Sequence, residues 1–195
     1  SMSRAVYSIR KGNAAAQRII EYLFHKSEIQ SPKDPIVLPE FSSEIIFDNV
    51  QFSYEEETVI HGLNLKIPKG HSVALVGASG SGKTTLANLL ARFYDPQKGT
   101  IKIDNTPINL VDLKELRSMF AYVTQDAILF HDSVRENLLV AKPNATNKEI
   151  EKALQIANAS DFVNQLPQGI DTIIGDAGNK LSGGQKQRLA IARAV

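Results

Sequence analysis

The stretch of sequence that decides the fold is GASGSGKT, residues 77–84, which fits the pattern G-x-x-x-x-G-K-(S/T). Glycines in such a loop let consecutive backbone N–H groups turn toward one anion, and a helix that begins there points its positive end at the same anion. Lys83 supplies a positive charge for the β- and γ-phosphates of a nucleotide, and the hydroxyl of Thr84 is placed to bind Mg²⁺. The residues predicted to contact the nucleotide here are Gly77, Ser79, Gly80, Ser81, Gly82, Lys83, Thr84 and Thr85.

The residues on either side of this loop are those expected of a phosphate-loop α/β core. Val73–Val76 is apolar without alternation, which is typical of a strand covered on both faces. The residues after the loop predict a helix whose apolar face carries Leu86, Leu89, Leu90 and Phe93. A buried strand, a loop and a helix in this order distinguish a phosphate loop from a chance glycine-rich turn.

Further strands are predicted on both sides of this core. Apolar residues alternate with polar ones from Glu44 to Tyr54 and from Leu63 to Ile67, and an acidic turn at Glu55–Glu57 joins the two runs. This period of two predicts half-buried strands. Gly99–Asp104 predicts another strand, and Phe120–Thr124 predicts a second buried one.

Helices are predicted at the start of the chain and through most of its second half. Arg4–Lys26 predicts an amphipathic helix, and the segment SPKDP at 31–35 breaks it and predicts a linker. Thr146 and Glu149 form a capping-box pattern at the start of another helix. Three more helices are predicted, over Leu113–Met119, Asp161–Leu166 and Gln185–Val195.

Composition excludes several classes of protein. The 195 residues carry 22 basic and 21 acidic side chains, a formal net charge of +1, so the basic excess that nucleic-acid binders usually show is missing. The absence of cysteine excludes disulfides, thiolate metal sites and a cysteine nucleophile. No apolar run in the sequence approaches the roughly 20 residues that a membrane-spanning helix needs.

A second helix start repeats part of the chemistry of the first. LSGGQ at residues 181–185 places a serine and two glycines where the last predicted helix begins. Ser182 can cap that helix or donate to an anion, and the glycines permit close approach of a ligand. Alone, the pattern also fits an ordinary loop with an N-cap.

With this motif and the phosphate loop together, the sequence resembles the nucleotide-binding domain of ATP-binding cassette (ABC) transporters, most closely that of the exporter type. The resemblance implies ATP and Mg²⁺ as ligands, Lys83 and Gln125 as catalytic residues, and Thr84 and Gln125 as residues at the metal. Gln125 looks like the family's Q-loop glutamine, and Tyr54 looks like the aromatic residue that stacks on adenine. The residues that would bind in trans, at the nucleotide of a partner domain, are Ser182, Gly183, Gly184 and Gln185.

The resemblance also implies an architecture and partners. Residues 1–35 look like a helix and linker from a membrane domain, and residues 36–195 look like a partial ABC domain in which 126–182 form a helical subdomain. The implied fold is an α/β phosphate-loop core of ABC type with an N-terminal antiparallel β subdomain. The implied partners are the membrane-spanning domain of the same transporter and a second ABC domain in a head-to-tail dimer, with no nucleic acid. Such a domain, itself soluble, would lie at the cytoplasmic face of a membrane and use ATP hydrolysis to drive export of a lipid or drug.

One motif of the family is absent from the sequence. The Walker B strand, four apolar residues followed by an aspartate and the catalytic glutamate, should follow soon after the helix that Ser182 begins, and no such run follows the phosphate loop. The last predicted helix reaches Val195 without a glycine, a proline or a polar cap. We therefore expect a C-terminally truncated part of a longer protein, inactive in ATP hydrolysis by itself. Val73–Val76 would then have an unpaired edge.

Other functions stay open on the sequence alone. An ABC ATPase that acts on DNA or ribosomes is disfavoured, because a compact helical stretch and not a long coiled coil separates Gln125 from Leu181. A phosphate-loop kinase or GTPase would not need the LSGGQ motif, and the guanine-reading pattern N-K-x-D does not occur. A binding module without turnover is compatible with the exporter function, because it concerns this chain alone.

Overall fold

The computed structural model describes residues 10, 12–13, 16–20, 23–24 and 29–195. The chain divides into two compact units, Ser1–Ser118 and Met119–Val195. Much of the predicted helix over Arg4–Lys26 lies outside the described residues, and residues 16–20 within it are helical.

The first unit contains a four-stranded antiparallel sheet in the order β2-β1-β3-β4. The strands are β1 (Glu44–Tyr54), β2 (Glu57–Pro68), β3 (Lys98–Ile103) and β4 (Thr106–Pro107). These bounds confirm the strands predicted from alternation before the phosphate loop and the strand predicted after it. The buried apolar residues of the sheet are Phe47, Val50, Phe52, Ile60, Ile101 and Ile103.

A bulge in β1 changes which of its residues face the interior. The register against β2 shifts between Phe47 and Val50, and Asn49 lies at this point with a φ of +48°. Asparagine is one of the few residues other than glycine that adopt this conformation readily. Phe47 is therefore buried together with Val50 and Phe52, whereas strict alternation places Ile46 on that face.

Two α-helices follow the phosphate loop in the described part of the first unit. They are α1 (Lys83–Leu90), which begins directly after the phosphate loop, and α2 (Leu113–Ser118). Leu89 and Leu116 are fully buried and anchor one helix each. The predicted apolar face of α1 is right for Leu89 and wrong for Phe93, which lies beyond the helix end and is 42% exposed.

Two segments predicted as buried strands are not strands. Val73–Val76 and Phe120–Thr124 have no regular secondary structure, and Val76 is 93% exposed. A strand needs a neighbour to pair its backbone N–H and C=O groups. No strand among the described residues pairs with either segment, so their apolar composition is not enough to make them strands.

The second unit consists of short helices around one apolar core. They are α3 (Val134–Leu139), α4 (Asn147–Ile156), α5 (Ser160–Asn164) and α6 (Gly183–Ala194). The large residues of this core are Leu129, Val134, Leu138, Ile150, Leu154, Phe162, Val163, Ile174, Leu181 and Leu189. The helices predicted at 161–166 and 185–195 are confirmed with ends shifted by one or two residues.

The start of α4 confirms the predicted capping box. Thr146 Oγ1 accepts from the Glu149 backbone N–H at 3.3 Å, and the Glu149 carboxylate accepts from the Thr146 backbone N–H at 2.7 Å. Two backbone donors that a helix start leaves open are satisfied in this way. Within the ranges that the structure describes, every helix is too short or too polar to cross a bilayer.

Candidate functional site

The phosphate loop ends at a glycine that begins α1. Gly82 has a φ of +83° and occupies the N-cap position, and no side chain caps the first turn. A Cβ atom at Gly82 would lie 2.6 Å from Ile60 Cδ1 and 3.0 Å from Val59 Cγ1. Glycine therefore lets the loop pack directly against β2, and the uncapped N–H groups of α1 remain available to an anion.

Lys83 folds back over the loop that precedes it. Its Nζ donates to the carbonyl oxygen of Gly77 at 2.9 Å, to that of Ala78 at 2.6 Å and to Ser81 Oγ at 3.2 Å. A Cβ atom on Gly77 would lie 2.6 Å from Ser81 Oγ, so the loop closes tightly on itself. The loop brings a flexible cation to the positive end of a helix, a combination that favours a phosphate group.

The two threonines in the first turn of α1 have different surroundings. Thr85 is buried, and Thr84 is exposed, as are Ser79, Gly80 and Ser81. A ligand or a metal ion can therefore reach the Thr84 hydroxyl. The described residues hold no cluster of three His, Asp or Glu side chains that could bind a metal by itself. A Mg²⁺ ion at Thr84 would accordingly take most of its oxygen ligands from nucleotide phosphates and water, as this ion commonly does.

Tyr54 ends β1 in a cluster of three aromatic rings. Its ring centroid lies 4.8 Å from that of Phe52 and 5.3 Å from that of Tyr94, and both pairs meet edge to face. Phe52 is buried, whereas Tyr54 is 38% exposed. A ring that is held at its edges and reachable from solvent can present a face to a planar ligand.

In the second unit, the predicted LSGGQ residues meet at the start of α6. Ser182 Oγ accepts from the Gln185 backbone N–H at 3.3 Å, and Gln185 Oε1 accepts from the Ser182 backbone N–H at 2.8 Å. This is a second capping box, so Ser182 does cap its helix. Apart from its chain neighbours and the backbone of its own helix, no described atom lies within 4 Å of a Cβ built on Gly183, so the approach to this turn is open.

Gln125 lies apart from these groups along the chain. It occupies a bend and is exposed, and its side chain makes no hydrogen bond within the part of the chain that the structure describes. The neighbouring Thr124 Oγ1 donates to the Asp126 carbonyl oxygen at 2.6 Å and shapes that bend.

Comparison with known proteins shows the family to which this chain, with its phosphate loop and its LSGGQ motif, belongs. A family model described as "ABC transporter" matches residues 60–195, which include the phosphate loop, Gln125 and the start of α6. The chain belongs to the ABC transporter family.

Relatives of this ABC domain include much longer proteins. An ATP-dependent lipid A-core flippase of Desulfotalea psychrophila is 45% identical over 194 residues, which is 100% of this chain and 34% of the flippase. ABC transporter B family member 21 of Arabidopsis thaliana is 47% identical over 188 residues, 94% of this chain and 14% of that protein. The chain therefore spans about a third or less of the length of these two relatives.

A solved structure of similar fold is that of a bacterial Atm1-family ABC exporter with ATP bound. It superposes with a TM-score of 0.86 at 39% identity, and the match covers 95% of this chain and 33% of that exporter chain. The fold is accordingly that of an ABC ATPase, with an antiparallel sheet and helices. Membership in this family makes the chain a nucleotide-binding domain.

One buried polar residue of the second unit was missed by sequence reasoning. Asn137 in α3 is 1% exposed, and its Oδ1 accepts from the Phe130 backbone N–H at 2.8 Å. Its Nδ2 donates to the carbonyl oxygens of Phe130 at 3.1 Å and Ser133 at 2.9 Å. These bonds fix the backbone between Phe130 and Ser133, at the start of α3. In the sequence, Asn137 stands out as an amide among apolar residues of a helix. Residue spacing alone does not predict which backbone groups it bonds.

Proposed function

We propose that this ABC domain binds ATP with Mg²⁺ and that, in the complete protein, it hydrolyses ATP to drive export of an amphipathic lipid or drug. The observation that carries the proposal is the position of Lys83, whose ammonium lies over the loop at the uncapped start of α1. Relatives described as an ATP-dependent lipid A-core flippase and an ATP-bound exporter support the same function.

The residues of the first unit have distinct tasks in this proposal. Lys83 exchanges its bonds to Gly77 and Ala78 for the β- and γ-phosphates, and the first-turn N–H groups of α1 bind the same phosphates. Tyr54 stacks on the adenine ring. Thr84 would hold Mg²⁺, whose charge would offset that of the phosphates, and Gln125 of the second unit is the other residue proposed at the metal. The remaining nucleotide contacts are proposed at Gly77, Ser79, Gly80, Ser81, Gly82 and Thr85.

The second phosphate-binding end is proposed to act on a partner's nucleotide. Ser182 Oγ already accepts a hydrogen bond from Gln185, so its own O–H is left to donate to a γ-phosphate. Gly183 and Gly184 add the N–H groups of the first turn of α6. A head-to-tail pair of ABC domains related by a two-fold axis makes two equal sites of this kind.

The domain bounds, partners and location that we propose are those expected of an ABC transporter. Residues 36–195 are assigned to the ABC domain, with 126–182 as its helical subdomain, and residues 1–35 to the connection with a membrane-spanning domain. That domain and a second ABC domain are the proposed partners, at the cytoplasmic face of a membrane.

The test is an ATP titration of the complete gene product by calorimetry, with Mg²⁺ present. Lys83→Ala should weaken ATP about tenfold or more, because a charge-assisted contact contributes about 1.5–3 kcal/mol. Lys114→Ala is the matched control, since this exposed lysine also lies on a helix of the first unit but outside the site. Equal ATP affinity of Lys83→Ala and wild type would overturn the assignment.

A further inference from the structure

The turn after α1 is bonded to the end of β1 beside Tyr54. The Gln97 side chain accepts from the Ser53 backbone N–H at 2.8 Å and donates to the Ser53 carbonyl oxygen at 2.9 Å. The Gln97 backbone N–H donates to the Gln51 carbonyl oxygen at 3.0 Å. The turn therefore continues the hydrogen bonding of the sheet up to the residue before Tyr54.

Tyr94 in this turn packs directly on Tyr54. The two ring centroids are 5.3 Å apart at an interplanar angle of 89°, and Tyr94 also meets Phe52 at 5.4 Å. Phe52 meets Tyr54 at 4.8 Å and 90°. Tyr54 therefore has an edge-to-face neighbour in its own strand and another in the turn, which together restrict its ring.

The backbone on both sides of Tyr94 is held by an arginine–aspartate pair. Arg92 is buried, with a φ of +52°, and its Nε and Nη2 donate to the Asp95 carboxylate at 2.8 and 3.2 Å. The Arg92 carbonyl oxygen accepts from Arg117 Nη2 at 2.9 Å. These contacts fix the backbone of the turn that contains Tyr94.

We propose that Tyr94 is a positioning residue for base binding: it holds the ring of Tyr54 in the orientation that stacks on adenine. The inference rests on the proposed function and adds a residue to it. Tyr94 acts through Tyr54, so it strengthens binding of ligands that carry a base and leaves binding of phosphate groups alone unchanged. Its hydroxyl makes no hydrogen bond within the described ranges, so the ring carries the effect.

The experiment compares ATP with inorganic tripolyphosphate, each with Mg²⁺, in calorimetric titrations of the complete gene product. Tyr94→Ala should weaken ATP about two- to tenfold and leave tripolyphosphate affinity unchanged, as expected for loss of one aromatic pair. Tyr94→Phe should bind ATP like wild type. Tyr54→Ala combined with Tyr94→Ala should bind ATP no more weakly than Tyr54→Ala alone, because both changes remove the same contact.

Phe93→Ala is the matched control. Phe93 lies in the same turn and is 42% exposed, against 41% for Tyr94, and its ring lies 5.1 Å from Arg117 Cζ. The inference is overturned if Tyr94→Ala binds ATP like wild type, if it weakens both ligands equally, or if Phe93→Ala has the same effect. A wild-type protein that binds neither ligand would instead overturn the proposed function itself.

Discussion

Ser182 and Gln185 each accept a backbone hydrogen bond from the other at the start of α6, at 3.3 Å to Ser182 Oγ and 2.8 Å to Gln185 Oε1. The same reciprocal arrangement joins Thr146 and Glu149 at the start of α4. The domain therefore contains two capping boxes of the same design in one unit, and only one of them belongs to the proposed nucleotide site.

The two boxes allow the structural and functional roles of Ser182 to be separated. Ser182→Ala and Thr146→Ala should each lower the free energy of unfolding by about 1 kcal/mol, because each removes one N-cap. Only Ser182→Ala should also lower ATP turnover by the complete gene product. Chemical denaturation and a phosphate-release assay measure the two effects. Equal loss of turnover in both variants would show that Ser182 acts through helix stability alone.

Substitutions at Tyr54 test whether its ring binds the base. Tyr54→Phe should be nearly silent, because the hydroxyl makes no hydrogen bond within the part of the chain that the structure covers. Tyr54→Ala should weaken ATP by about 0.5–1.5 kcal/mol through loss of stacking. Titration calorimetry gives the affinities, and thermal unfolding of both variants gives the control. A loss of thermal stability with unchanged ATP affinity would favour a packing role only.

The capping box of α4 should make that helix sensitive to acid. A hydrogen bond from Lys142, together with those from Thr146, lowers the pKa of Glu149 from 4.5 to about 2. Because the folded pKa is depressed, the stabilisation is complete above about pH 4.5 and is lost as pH falls toward 2.

Glu149→Gln keeps a side-chain oxygen for the cap and removes the charge. Its melting temperature should therefore lie below that of wild type at neutral pH, and the difference should shrink as pH falls from about 4.5 toward about 2. Thermal unfolding of both proteins across this pH range, monitored by circular dichroism, measures this difference in melting temperature. A difference that stays constant with pH would contradict the role of the carboxylate.

Mixing two inactive variants tests the head-to-tail pair. A dimer of one Lys83→Ala and one Ser182→Ala protomer would contain one doubly altered site and one intact site, because each site takes its loop and its serine from different chains. Mixed complete proteins should therefore trap nucleotide, whereas neither variant alone should do so. If the mixture traps no more than the separate variants, the two motifs do not meet between protomers.

Short-range chemistry made much of this domain predictable. The phosphate loop, the alternation in β1 and the Thr146–Glu149 box each depend on residues within a few positions of one another, and the structure confirms the last two as a strand and a capped helix. The bulge at Asn49 was not predicted, because the amino-acid composition of a strand does not show where the strand contains an extra residue.

What the sequence could not reveal depends on partners distant along the chain. Gln97 and Tyr94 lie in a turn whose composition does not say which strand it contacts. That strand is β1, and its Ser53 lies 44 residues before Gln97. Val73–Val76 has the composition of a buried strand, but burial also requires neighbours on each side. Local patterns therefore predict candidate ligand contacts, but they do not predict the distant residues that pack against them.

The unpaired segment Val73–Val76 has a consequence for how the phosphate loop becomes ordered. The loop's exit is secured by α1 and by Gly82 against β2, whereas no strand of the described residues pairs with its entrance. The entrance is held instead by the Lys83 bonds to Gly77 and Ala78. A ligand that draws Lys83 away must fix this backbone anew, at a cost of about 1–2 kcal/mol of backbone entropy per residue. A strand supplied beside Val73–Val76 would lower that cost before the ligand arrives, so nucleotide affinity reports whether the sheet around the loop has been completed.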